Sequence, residues 1–499
     1  MTPALILVTF SLYTLFIFLI SWWTSRKADN ESFFIGNRKS PWMIVAYGMI
    51  GASLSGVTFI SVPGWVGSTH FTYFVIVLGY VAGYAVVSTV LLPVYYKLNL
   101  TSIYTYLGQR FGRASYKTGS LFFLLSRIVG ASFRMYLVIS VLQLFVFDHY
   151  GIPFWVTVVL FMFLIQLYTL KGGIKTIVWT DTLQTTFMLL AVFITMGIII
   201  YDMHTSLGEM WSLVWKSDYS QIFITNVKSS QNFVKLFLSG MFITIAMTGL
   251  DQDMMQKNLS CRNLKDSRKN MTVLSLILVP VNLIFLFLGA VLYFYAAHLH
   301  LNTSGLTDHL FPEIAFNYLG VAGGLVFTIG LIAAAYSSAD SALTALTTTL
   351  TIDIMELDKR HADNQGILRK KRERLHFVMM LIIIFVIVLF KVINNEAIIA
   401  QLFTFAGYTY GPLLGLYGFG LFTRFPLKDK WVPVVAVLSP FLAWLLSKAL
   451  EYGFSGYQTG FEILLLNGLI TFIGLLIIKK STKTKRLWQH LDLLRWRKP

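Results

Sequence analysis

Apolar residues run along this chain in long stretches, separated by short connections that are polar and mostly basic. The stretches lie at about 3–23, 42–66, 71–96, 118–147, 154–171, 176–201, 233–256, 271–299, 322–354, 375–393, 397–421, 431–452 and 460–479. A bilayer core of about 30 Å takes roughly 20 residues of helix. The pattern therefore predicts an all-α polytopic membrane protein with about thirteen transmembrane helices. The longest connections, 202–232 and 355–374, leave no room for an appended soluble domain.

The first stretch is expected to stay in the membrane as an extra N-terminal helix. It has no basic n-region, exceeds the length of a signal-peptide core, and is followed by Arg26-Lys27 rather than a small-residue cleavage site. Lys and Arg then set the orientation. Arg26, Lys27, Arg38 and Lys39, the group Lys97, Arg110, Arg113 and Lys117, the pair Lys171 and Lys175, and the clusters at 257–269, 359–374, 424–430 and after 478 fall on one side. The other side has only Lys216, Lys228, Lys235, Lys391 and Lys448, with Arg127 and Arg134 left inside a span. This alternation predicts an N-terminus outside and a C-terminus in the cytoplasm, in the plasma (inner) membrane.

Composition agrees: 56% of residues are apolar and 13% charged, against about 45–50% and about 25% in soluble domains. A disordered chain is excluded and an ordinary soluble enzyme disfavoured. The net charge of +17 sits between apolar runs, so it reads as a topology signal, the basic tail 480–499 included, and no nucleic-acid partner is expected. The single cysteine, Cys261, rules out an internal disulfide and a Cys-based zinc site. The nine histidines fall in connections or at span edges, which argues against a buried histidine metal site or proton relay. Lys171-Gly172-Gly173-Ile174-Lys175-Thr176 lacks phosphate-loop spacing, so uphill transport would draw on an ion gradient. No catalytic residues, cofactor or transition-metal site are expected.

Four stretches break the apolar pattern, and ionisable groups inside a membrane are functional by default. The second span carries Gly48, Gly51, Ala52, Ser53, Ser55, Gly56, Thr58, Pro63 and Gly64, a density that predicts a broken helix with freed carbonyls. The seventh carries Gly240, Thr244, Thr248, Gly249 and Asp251-Gln252, so interruptions begin each of two sets of five helices, although no residue-level repeat is detectable. In the ninth, Ser337, Asp340, Ser341, Thr344 and Thr348 share one helix face, with Ser338 beside them. Hydroxyls plus a carboxylate are hard ligands that suit a hard cation. The sixth places Asp181 within the membrane. In the fourth, Arg134 is too deep to snorkel and needs an anion, either Asp181 and Asp340 or a substrate carboxylate; Arg127 is expected to reach the cytoplasmic interface.

These residues resemble the sodium:solute symporter family, whose members have a LeuT-like five-plus-five inverted repeat. The resemblance rests on Phe33-Phe34-Ile35-Gly36-Asn37-Arg38 with Pro41-Trp42, on Leu92-Pro93-Val94-Tyr95-Tyr96 with Ser102 to Leu107 and Arg110-Phe111-Gly112, on Tyr168 to Thr176 running into Trp179-Thr180-Asp181-Thr182-Leu183-Gln184, and on the serine-rich ninth span. It covers about 32–420. It implies repeats at 42–201 and 233–421 within a single transporter domain, preceded by the helix 3–23 and followed by two peripheral helices within 431–479. It also implies a sodium site from Gly51, Leu54, Ala334, Ser337 and Ser338. A second sodium site, present in some members, would use Asp181, Ser337, Asp340 and Ser341; two facing carboxylates favour two cations, or one with Arg134 as counter-ion. Ser55, Thr58 and Arg134 match positions that hold the substrate carboxylate in sialic-acid-transporting relatives, and Thr248 joins them as a candidate contact. Met247-Thr248 stand where sugar-transporting members carry aromatic residues. The expected activity is sodium-coupled symport of a small organic solute, an acidic one such as sialic acid leading. Neutral sugars, amino acids such as proline, proton coupling and a transporter-like sensor are the alternatives.

Overall fold

A computed structural model describes residues 2–26, 28–303, 305, 307–393, 398–454 and 456–480. Lys27 and all but the first residue of the expected basic tail lie outside them. A chain in hydrocarbon must satisfy every backbone group internally, and the described residues are accordingly helical, with only isolated β-bridges. The long helices are α1 (Pro3–Ser25), α2 (Trp42–Thr69), α3 (Tyr73–Val86, running on to Lys97), α4 (Arg113–Leu142), α5 (Phe154–Gly172), α6 (Ile174–Asp202), α7 (Phe233–Thr244), α8 (Gln252–Leu259), α9 (Leu264–His298), α10 (Gly320–Thr349), α11 (Gln365–Ile393), α12 (Ile398–Phe422), α13 (Val432–Gly453) and α14 (Ile463–Ile477). Among the described residues, nine stretches are long and apolar enough to cross a membrane, Trp42–Lys97 counting once. A tenth is the pair α7 and α8, bent by 65°.

The bundle is apolar outside and polar at its centre. Leu12, Trp22, Trp155, Phe163, Phe385 and Phe441 face outward on α1, α5, α11 and α13. The centre is built on the two interrupted helices: α2 packs on α6, α9 and α10, α7 on α3, and α8 on α6 and α10. Small residues make such close crossings possible. A Cβ at Gly79 would strike the Phe237 carbonyl, and one at Gly240 the Ile76 carbonyl, so α3 and α7 touch backbone to backbone.

Both expected interruptions are present. Within α2 the chain leaves helical geometry at Ser55, whose φ of 47° is left-handed for a residue with a side chain. The seventh span passes through a π-helical turn at Ile245–Gly249, opens at Leu250, and restarts as α8 behind Asp251. The Asp251 carboxylate caps α8, accepting from the amides of Asp253 at 2.8 Å and Met254 at 3.4 Å.

At the periphery, α12 contains Pro412, which has no N–H for the Tyr408 carbonyl one turn earlier. Asn467 of α14 fills the gap, donating to the carbonyls of Tyr408 at 2.8 Å and Gly407 at 3.0 Å. The N-terminal helix is less of an outsider than its place in the chain suggests. Thr14 pairs with the Tyr336 hydroxyl of α10 at 2.9 Å, and Ser21 donates to the Tyr168 carbonyl of α5 at 2.7 Å.

Candidate functional site

The breaks in α2 and between α7 and α8 face one cavity of about 90 Å³. Ser55 and Thr58 reach it from α2, Thr248 from the π-turn, Arg134 from α4 and Met254 from α8; Tyr73, Tyr80, Tyr84 and Asn282 add aromatic and amide surface. All four residues expected to contact solute thus line one space, with Leu54 beside them. Arg134 is half-buried, and its Nε has no hydrogen-bond partner. No described carboxylate pairs with it, so it is not the counter-ion of Asp181 or Asp340. A guanidinium offers five donors in a fixed fork that matches a carboxylate, and here the fork is free.

Arg127, seven residues earlier on α4, does not reach the interface as expected. It is 4% exposed, donates to Asp253 and lies 3.9 Å from Asp251. The Asp251 carboxylate also accepts from Tyr410 of α12 at 2.5 Å. Snorkelling is open to a cation only when no buried anion is nearer, and the break in the seventh span supplies two.

The helix that follows that break departs furthest from expectation. Every residue of α8 is buried, Lys257 and Asn258 included, although these two follow the seventh apolar stretch at 233–256 and Lys257 opens the basic cluster at 257–269. Each polar side chain finds a partner, as burial requires. Gln252 bonds the amide of Ile103 and the carbonyl of Thr101, Gln256 donates to Thr348 at 2.8 Å, and Asn258 accepts from Asn270 at 2.7 Å. Lys257, grouped with the cytoplasmic cluster in the sequence, is 1% exposed and places Nζ 2.6 Å from Asp181 Oδ2.

That pair anchors the candidate cation region. Ser337 donates to Asp181 Oδ1 at 2.7 Å, so its lone pairs stay available to a cation. Ser338 bonds back to the Ala334 carbonyl at 3.1 Å, and Gly51 donates its amide to Thr185 of α6 at 3.0 Å. Asp340 accepts from the Tyr168 hydroxyl at 2.9 Å and the Ser341 amide at 2.6 Å. The hydroxyls of Ser341 and Thr344 are buried without partners. Asp181, Ser337, Asp340 and Ser341 are all at most 1% exposed. His376, read as a span-edge residue, is enclosed between Thr169 at 2.9 Å and Thr347 at 2.7 Å, a staple of α11 to α5 and α10. Sequence reasoning missed Lys257, Asp253, Tyr168 and Tyr410; the one available signal was that the polar run of α8 directly follows a predicted break.

The model of the sodium:solute symporter family matches residues 33–423. The sodium/sialic acid symporter NanT of Aliivibrio fischeri is 25% identical over 80% of this chain and 79% of its own. The sodium/sialic acid symporter SiaT of Proteus mirabilis is 24% identical over 81% of each. Among solved structures, the substrate-bound outward-open state of a Na+-coupled sialic acid symporter superposes with a TM-score of 0.81 at 20% identity, covering 95% of this chain and 99% of that one. This last likeness shows the fold, the all-α LeuT-like architecture.

Proposed function

The chain belongs to the sodium:solute symporter family, and from that premise we propose that it carries an acidic small solute, with sialic acid the first candidate, into the cell together with sodium. The single observation that carries the solute class is Arg134, a guanidinium with no acid partner among the described residues, lining the cavity between two broken helices. A guanidinium at this depth with no anion beside it is costly, and a solute carboxylate in the cavity removes that cost. Ser55, Thr58 and Thr248 then hold the rest of the solute.

Sodium binds between α2 and α10, on the hydroxyls of Ser337 and Ser338 and on carbonyls near Gly51, Leu54 and Ala334. Residues 42–201 and 233–421 are the two five-helix repeats, with 3–23 and 431–479 outside them. The basic connections put the C-terminus in the cytoplasm, at the plasma membrane. The ion site and the cavity share α2, so sodium that orders the break also raises solute affinity, and by linkage solute raises sodium affinity by the same factor.

The test is thermal stability of the detergent-purified protein in NaCl and in choline chloride, across sialic acids, other carboxylates, sugars and amino acids. A ligand at 100 times its Kd adds about 2.7 kcal/mol. A carboxylate that stabilises only with sodium, and no longer does so in Arg134→Ala, is the expected result. A neutral sugar stabilising both proteins equally overturns the acidic-solute reading. Stabilisation indifferent to sodium overturns the coupling ion.

A further inference from the structure

Two carboxylates and one ammonium are enclosed together where the resemblance allots a second sodium. Each oxygen of Asp181 is taken, Oδ2 by Lys257 Nζ at 2.6 Å and Oδ1 by the Ser337 hydroxyl at 2.7 Å. Both Asp340 oxygens are engaged, by the Tyr168 hydroxyl and the Ser341 amide.

We infer that Lys257 is a tethered cation that stands in for a second sodium, so that the protein binds one sodium, at the Ser337–Ser338 site. The inference rests on the sodium reading given above and adds the stoichiometry. Charge balance supports it. With both acids ionised, Asp181, Asp340 and Lys257 together carry one negative charge, which one sodium cancels; with Asp340 protonated they carry none, and in neither case does charge remain for a second sodium. A second sodium would leave an uncompensated positive charge in the interior, where isolated charges are strongly disfavoured. Position supports it as well. The ammonium holds the place beside Asp181 that a free ion would need, and α8 delivers it from the break that also brings Met254 to the solute cavity. A symporter built this way keeps Asp181 neutralised throughout its cycle. Sodium then arrives at a Ser337 already oriented by its bond to Asp181.

The experiment is equilibrium binding of radioactive sodium to the purified full-length chain, with NaCl as the only ligand. Wild type is expected to bind one sodium per chain and Lys257→Ala two, because the alanine variant leaves Asp181 without a cation. Two ions bound to wild type, or one bound to a folded Lys257→Ala, overturns the inference while leaving sodium coupling intact. No saturable sodium in either protein overturns the sodium site itself and the inference with it, so the two failures are distinguishable. If the alanine variant does not fold, the uncharged pair Asp181→Asn/Lys257→Met carries the test. It is expected to bind one sodium as wild type does; a wild type that binds one ion more than this pair would place a free sodium on Asp181 despite the lysine and overturn the inference.

Discussion

Two buried clusters of charged groups lie in this bundle, and among the described residues the group that each leaves without an ion pair has the opposite sign. Around α6, α8 and α10, Asp181 and Asp340 outnumber Lys257, and the unpartnered groups nearby are the hydroxyls of Ser341 and Thr344. Around α4, α8 and α12, Arg127 lies against both Asp253 and Asp251, and Asp251 also accepts from helix amides and Tyr410, so that Arg134 makes no ion pair among the described residues. The same helix, α8, contributes to both. A buried carboxyl with no ammonium beside it suits a cation; a guanidinium with no carboxylate against it suits an anion. The difference in sign is what makes one place suited to sodium and the other to a carboxylate.

Removing paired charge from the arginine cluster should have the largest effect. Arg127→Met strands Asp253 in the interior, and breaking a buried pair on one side costs about 3–5 kcal/mol. Thermal unfolding in detergent should drop accordingly and recover in part with Asp253→Asn added; an unchanged midpoint would mean that the acids of the break are not held by this arginine.

Arg134 tests the other half of the same cluster. Arg134→Ala should cost about 2–5 kcal/mol of solute binding while leaving sodium binding in place. Comparable losses of sodium and solute binding would merge the two clusters into one site.

On the acid side, Ser337→Ala removes a hydrogen bond to a charged group, worth about 1.5–3 kcal/mol, and a cation ligand with it. The sodium concentration for half-maximal stabilisation should rise by about tenfold or more, and further in the Ser337→Ala/Ser338→Ala double variant. Unchanged sodium dependence there would remove the site from α10.

The smallest effect belongs outside both clusters. Asn467→Leu frees the Tyr408 and Gly407 carbonyls of α12, at roughly 1 kcal/mol for an interhelical bond in a bilayer. It should lower the unfolding midpoint slightly and move neither sodium nor solute binding.

Much of this was readable in the chain itself. Gly and Pro density placed the break in α2, and Asp251-Gln252 placed the one in the seventh span, because a helix with so few good helix formers cannot hold its hydrogen bonds in hydrocarbon. The spacing of Ser337, Asp340 and Ser341 put them on one face, since 3.6 residues per turn is a local property. What misled was polarity read as exposure. Lys257 reads as the first of the cytoplasmic basic residues, Arg127 as a residue of the interface and His376 as one of a span edge, yet all three are buried.

Hydropathy belongs to each residue alone, and it determined that the chain spans a membrane as helices and where they are interrupted. Whether a polar side chain stays in the membrane depends on a partner, and the partners lie far away in sequence: Asp181 for Lys257, Asp253 for Arg127, Thr169 and Thr347 for His376. Only the tertiary structure decides such pairings, because the cost of burying a charge is set by what stands opposite it.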